Sequence, residues 1–103
     1  MIHKDKCLAL DLPEPKSHET QLVYVLRVMA EGFVLNTRLC RFIGIHNLHS
    51  LVSTLAKRGV NFTLAYERVY CPFICDTPPF PVDVVYMTQD QQEQYRNKKA
   101  AKV

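Results

Sequence analysis

The chain has 103 residues, 48% of them hydrophobic, a length and composition that suit one packed domain without help from metal or disulfide. Lys and Arg total 13 against 10 Asp and Glu, a net charge of +3 that by itself points to no partner. No apolar run approaches the ~20 residues a membrane helix needs, and Met1 to Lys6 carries no secretory hydrophobic region, so the expectation is a cytoplasmic protein with no membrane contact. In that compartment the four cysteines, Cys7, Cys40, Cys71 and Cys75, read as reduced thiols.

In chain order, residues 1–16 read as an N-terminal arm. Pro13-Glu14-Pro15 keeps it extended, and the alternation of Leu8, Leu10 and Leu12 fits a short strand. Ser17 is a good N-cap for a first helix, with Glu19 in its first turn and Leu22, Val25, Leu26 and Met29 at helical spacing up to a stop at Gly32. Asn36 or Thr37 caps a short second helix, with Leu39, Phe42 and Ile43 on its apolar face and Arg38 and Arg41 pointing away. Gly44 turns the chain and Ile45 follows as a buried plug. Asn47 caps a third helix, to about Arg58, whose Leu48, Leu51, Val52 and Leu55 fit the i, i+3, i+4, i+7 stripe. Gly59 closes it after two cations, Lys57 and Arg58. Asn61 to Tyr70 alternates as a strand, Cys71 to Pro81 is a proline-rich loop, and Val82 to Tyr86 is a second, antiparallel strand. Thr88 then caps a polar terminal helix from Gln89 to about Lys99, with Tyr95 as its main aromatic and a fraying basic tail from Arg96 to Lys102.

The stretch from Gly32-Phe33-Val34-Leu35-Asn36-Thr37-Arg38-Leu39 to Leu55-Ala56-Lys57-Arg58-Gly59-Val60 resembles the small winged helix-turn-helix proteins found among phage, prophage and plasmid regulators. It joins a capped short helix, a tight turn, a longer helix and a closing Lys-Arg-Gly ahead of a strand. The resemblance covers roughly Ser17 to Met87. It implies an α+β fold with three helices, a two-stranded wing and a C-terminal helix, in which residues 17–87 form the domain and residues 88–103 the helix and tail. The long wing tip, with its prolines and cysteines, departs from the usual tight hairpin.

The chemistry agrees with that reading. No Asp or Glu lies between Glu31 and Glu67, while Arg38, Arg41, Lys57 and Arg58 do, the local positive character phosphate binding needs. With the Leu48 stripe turned inward, the third helix presents Asn47, His49, Ser50, Ser53, Thr54 and Lys57, short polar groups suited to base edges. The expected double-stranded DNA interface is therefore Thr37, Arg38, Arg41, His46, Asn47, His49, Ser50, Ser53, Thr54, Lys57 and Arg58. Arg38 and Arg41 would sit on phosphates. Each residue also has a plainer reading: Asn47 as a cap, His46 and His49 as solvated histidines, Ser53 and Thr54 as polar exterior.

The implied function is a sequence-specific transcription regulator or an excisionase-like or replication accessory factor of a mobile element. One module gives limited specificity, so a homodimer or higher homo-oligomer is expected, joined through the Leu8/Leu10/Leu12 arm or the helix of Tyr95. The alternative is a protein–protein module, an anti-repressor or assembly subunit, docking through Phe73, Ile74 and Phe80 of the Cys71–Pro81 loop. Against it stands a wing whose aromatics fold back over the sheet as a satellite core. Cys71 and Cys75 are spaced compatibly with a disulfide, but four zinc ligands are not grouped, so neither metal nor cofactor is expected. No phosphate loop, dinucleotide fingerprint or carboxylate pair is present, and an enzyme is not expected.

Overall fold

The computed structural model describes residues 2–101. Among these the elements run α1 (Lys4–Ala9), α2 (Gln21–Ala30), β1 (Leu35–Asn36), α3 (Thr37–Phe42), α4 (Leu48–Lys57), β2 (Thr63–Glu67), β3 (Val82–Tyr86) and α5 (Gln89–Ala101). The architecture is a small α+β domain with five helices among the described residues and a three-stranded antiparallel sheet of order β1-β3-β2. The expected antiparallel pair is present, with Leu64 opposite Val85 and Tyr66 opposite Asp83. A third strand joins it: Leu35 and Asn36, read from sequence as the approach to a helix, pair with Val85 and Val84. Two residues are too few for alternation to show, and only the neighbouring strand makes them a strand.

The extended arm expected over residues 1–16 is not extended, and the strand over Leu8 to Leu12 is absent. Lys4 to Ala9 is helical, Cys7 and Leu12 are buried in the core, and Leu10 packs against it. Backbone and side-chain bonds fasten the segment further. His3 N–H donates to the Ile43 carbonyl at 2.7 Å, the Tyr24 hydroxyl donates to the Pro13 carbonyl at 2.7 Å, and Lys4 pairs with Glu14 at 2.7 Å. The next helix also starts later than expected. Thr20, not Ser17, is its N-cap, accepting from Val23 N–H at 3.2 Å, because Glu19 is drawn sideways into an ion pair with Arg27.

One closing device recurs at four helix ends. After α1, α2, α3 and α4 the backbone makes paired 6→1 and 5→2 bonds: Leu12 to Cys7 with Asp11 to Leu8, Phe33 to Val28 with Gly32 to Met29, Ile45 to Cys40 with Gly44 to Arg41, and Val60 to Leu55 with Gly59 to Ala56. In each case the residue after the left-handed position is apolar and turns into or against the core, and the carbonyl partner at the helix end is buried. Three of the left-handed positions are glycine; the fourth is Asp11, at φ 57°. Asp11 is exposed, so Asp11→Gly is expected to stabilise the fold by about 0.5–1 kcal/mol, read as a rise in the urea midpoint at constant slope.

The core lies between the helices and one face of the sheet. Tyr24, Met29, Leu35, Ile43, Ile45 and Leu55 are its largest fully buried side chains, and Ile45 fills the plug position expected of it. α5 is capped reciprocally, as Thr88 predicts: Thr88 N–H donates to Gln91 Oε1 at 2.9 Å, and Gln91 N–H to Thr88 Oγ1 at 3.3 Å. The helix continues to Ala101, so the fraying expected from Arg96 onward is not seen over the described residues; Lys102 lies outside them. Tyr95 packs against the core of its own chain, as do Leu10 and Leu12, so the two segments named as dimer elements place most of their apolar side chains within the protomer. β2 is shorter than its sequence signal, and its Leu64 and Tyr66 face solvent. Among the described residues no helix is long and apolar enough to cross a membrane.

Candidate nucleic-acid interface

α3, the Gly44 turn and α4 bring the expected residues into one region. Asn36 Oδ1 accepts from Leu39 N–H at 2.8 Å and fixes the start of α3, and the Gly44–Ile45 closure sets the direction of α4. Leu48, Val52 and Leu55 are buried and Leu51 half-buried, so the helix can present only its opposite side. On that side Asn47, His49, Ser50, Ser53 and Lys57 are exposed, with His46 just before the helix and Arg58 just after it.

Three of these differ in detail from the sequence reading. Asn47 occupies the N-cap position of α4, but its side chain makes no capping bond, which leaves the carboxamide unengaged where a cap would have held it. Thr54 is half-buried and its hydroxyl donates to the Ser50 carbonyl at 3.0 Å, turning back onto the helix. His49 stands 3.5 Å from a carboxylate oxygen of Asp83, which sequence distance hid: the stretch free of acids receives one from β3 across the fold.

The two arginines of α3 part company. Arg41 is exposed and has no acidic partner among the described residues. Arg38, expected to point away, is half-buried and turned toward the proline-rich loop: its Nη2 donates to the Phe80 carbonyl at 3.3 Å, and its Nε is buried without a hydrogen-bond partner. The same guanidinium lies beside Cys71. Burial works to raise the Cys71 thiol, but the backbone N–H groups of Ile74 and Phe73 together with Arg38 bring it below the ordinary thiol value. Thr37, ahead of Arg38, is half-buried.

The loop itself is not a free wing tip. Cys71 and Asp76 form an isolated antiparallel bridge, and Phe73 meets Phe42 of α3 edge-to-face with ring centroids 5.3 Å apart. The Lys6 ammonium lies over the same Phe42 ring, 5.2 Å from its centroid. The satellite core expected there forms only in part, since Phe73 and Ile74 are 59% exposed and Phe80 71%.

One cation was missed. Lys98, assigned from sequence to a frayed tail, reaches the C-terminal end of α4, where its Nζ would stand 3.6 Å from a Cβ at Gly59. Asn61 Nδ2 donates to Gln94 Oε1 at 3.1 Å and Thr63 Oγ1 to Gln91 Oε1 at 2.9 Å, and these two bonds dock α5 there. The polar repeat of α5 concealed this, because Tyr95 is its one large apolar contact and the bonds beside it come from the Gln91 and Gln94 side-chain amides. Together Arg58 and Lys98 border a cavity of about 300 Å³ floored by Leu26, Val60 and Tyr95. Among the described residues no group of three or more His, Cys, Asp or Glu is placed to hold a metal ion.

Comparison of the chain with models of protein families, with characterised proteins and with solved structures finds no match to any of them.

Proposed function

We propose that the chain is a winged helix-turn-helix protein that binds double-stranded DNA, with α4 in the major groove. It would be a non-enzymatic cytoplasmic factor, a transcription regulator or an excisionase-like or replication accessory factor of a mobile element, working as a homodimer or larger assembly. The observation that carries this reading is the outward side of α4: Asn47, Ser50, Ser53 and Lys57 exposed, with exposed Arg58 just after the helix and exposed Arg41 on α3, and Asp83 the one acid paired with it among the described residues. A helix with this surface fits the groove, its short side chains reaching base edges while flanking cations meet phosphates. The helix–strand–helix–helix–strand–strand order from α2 to β3 supports the winged-helix assignment.

A fluorescence titration of a labelled duplex at several salt concentrations tests it. Binding that weakens steeply with salt is expected, and affinity without salt dependence would count against DNA. Selection from a random duplex pool then supplies a preferred site. On that site Asn47→Ala and Ser50→Ala should each narrow the preference over random DNA by about 1–3 kcal/mol while leaving random-sequence binding unchanged.

The exposure of Phe73, Ile74 and Phe80 favours a second reading, a docking surface for another protein at the Cys71–Pro81 loop. The same titration separates the two, because a chain of that kind leaves the duplex unbound.

A further inference from the structure

The Cys71–Asp76 turn holds chemistry that DNA binding does not use. Cys71 N–H donates to the Asp76 carbonyl at 2.8 Å, and Cys75 N–H donates to the Cys71 carbonyl at 2.9 Å, so the two cysteines sit at the ends of one hydrogen-bonded turn. Residues four apart in such a turn stand roughly 6 Å apart at Cα, within the window a disulfide spans. Cys75 adopts φ 53°, a left-handed conformation normally left to glycine or asparagine. Its Sγ lies 3.7 Å from the Pro72 carbonyl, inside the turn. Cys75 is exposed and Cys71 is covered, with the Arg38 guanidinium beside its sulfur. The two remaining thiols contrast with this pair. Cys7 and Cys40 are fully buried, and burial pushes both thiols up, Cys40 to about 12.

We propose that Cys71 and Cys75 form a dithiol modification site that hydrogen peroxide closes to a disulfide within the turn, with Cys75 meeting the oxidant and Cys71 resolving the intermediate. The exposed Cys75 sulfur, as thiolate, attacks one peroxide oxygen. The O–O bond breaks, Cys75 becomes a sulfenic acid, and the leaving oxygen departs as water once protonated. The Cys71 thiolate then attacks the Cys75 sulfur, the S–O bond breaks, and hydroxide leaves as a second water. Two thiols give up two protons and two electrons, and one hydrogen peroxide is reduced to two waters. Arg38 acts on the second step as a positioning residue: its cation favours the thiolate at Cys71, the attacking species. The anchor of Phe73 on Phe42 ties the turn to α3, so closing the disulfide works directly on that helix.

The test uses the full chain, hydrogen peroxide and mass spectrometry, so its outcome is independent of whether DNA is bound. The wild type is expected to lose two hydrogens, with peptide mapping placing one disulfide between Cys71 and Cys75 while Cys7 and Cys40 remain alkylatable after unfolding. With dimedone present, Cys71→Ser and Cys71→Ala should both accumulate the Cys75 adduct, and Cys75→Ser should give no adduct at Cys71. Arg38→Ala should slow disulfide closure several-fold and leave the first oxidation rate unchanged. Four titratable thiols after excess peroxide, a bridge between two chains, or a bridge involving Cys7 or Cys40 would each overturn the proposal.

Discussion

Arg27→Ala is expected to cost about 3–5 kcal/mol, roughly twice the cost of Glu19→Ala, although both remove the same ion pair. Arg27 grips Glu19 with two bonds, Nε to Oε2 at 2.7 Å and Nη2 to Oε1 at 2.8 Å. It also reaches Glu31 at 3.2 Å and the Glu14 carbonyl at 2.9 Å, and lies over the Tyr24 ring at 5.4 Å. The asymmetry follows from burial: the Glu19 side chain is 3% exposed, that of Arg27 22%. Removing the arginine strands a carboxylate out of water with only the Lys16 N–H at 3.1 Å to satisfy it. Removing the glutamate leaves a guanidinium that reaches solvent and keeps Glu31.

The pH dependence gives a second, independent readout. Hydrogen bonding from Arg27 holds the Glu19 carboxyl below its ordinary value of 4.5, burial opposing. A carboxyl lowered on folding contributes stability above its unfolded value and loses it as pH falls through the folded one. The wild type should therefore surrender this contribution below about pH 4.5. In Arg27→Ala the stranded carboxyl shifts the opposite way, so the gap between the two proteins is widest near neutrality and closes in acid. Urea denaturation from pH 3 to 7 measures it. A gap independent of pH would mean that Arg27 stabilises by packing on Tyr24 alone.

What the sequence made legible was whatever obeys a local rule. The stripe of Leu48, Leu51, Val52 and Leu55, the Gly44 turn with Ile45 behind it, and the Asn36 and Thr88 caps all depend on residues within a turn or two of one another, and each lies where spacing puts it. What stayed hidden depends on distant partners. Leu8, Leu10 and Leu12 alternate as a strand would, yet Lys4 to Ala9 folds as a helix that buries Cys7, with Leu12 buried just beyond it in the core. Ser17 is as good a cap as Thr20, and only the ion pair eight residues on decides between them. At the interface the rule is the same. The exposure of Asn47, Ser50 and Ser53 was readable from period, whereas the acid beside His49 and the cation beside Gly59 come from β3 and α5.

That difference separates Arg38 from Arg41, which the sequence treats alike. If α4 binds DNA as proposed, Arg41→Ala and Lys57→Ala should each weaken binding to every duplex on the order of tenfold near 0.1 M salt and lower the log–log salt slope by about 0.9. The double variant should lower it by about twice that, since the two side chains share no partner and their effects add. Arg38→Ala should leave the slope unchanged, because its guanidinium is committed to the Phe80 carbonyl and Cys71 and neutralises no phosphate, so it displaces none of the counterions condensed on DNA. Lys98→Ala, at the far end of α4 beside Arg58, should reduce the slope as Lys57→Ala does, if the bound duplex extends that far along the helix. A slope lowered equally by Arg38→Ala and Arg41→Ala would place the duplex over the proline-rich loop instead of α4. Wild-type slopes in all four single variants would remove phosphate contact from this surface and leave the exposed Phe73, Ile74 and Phe80 as its main recognition chemistry.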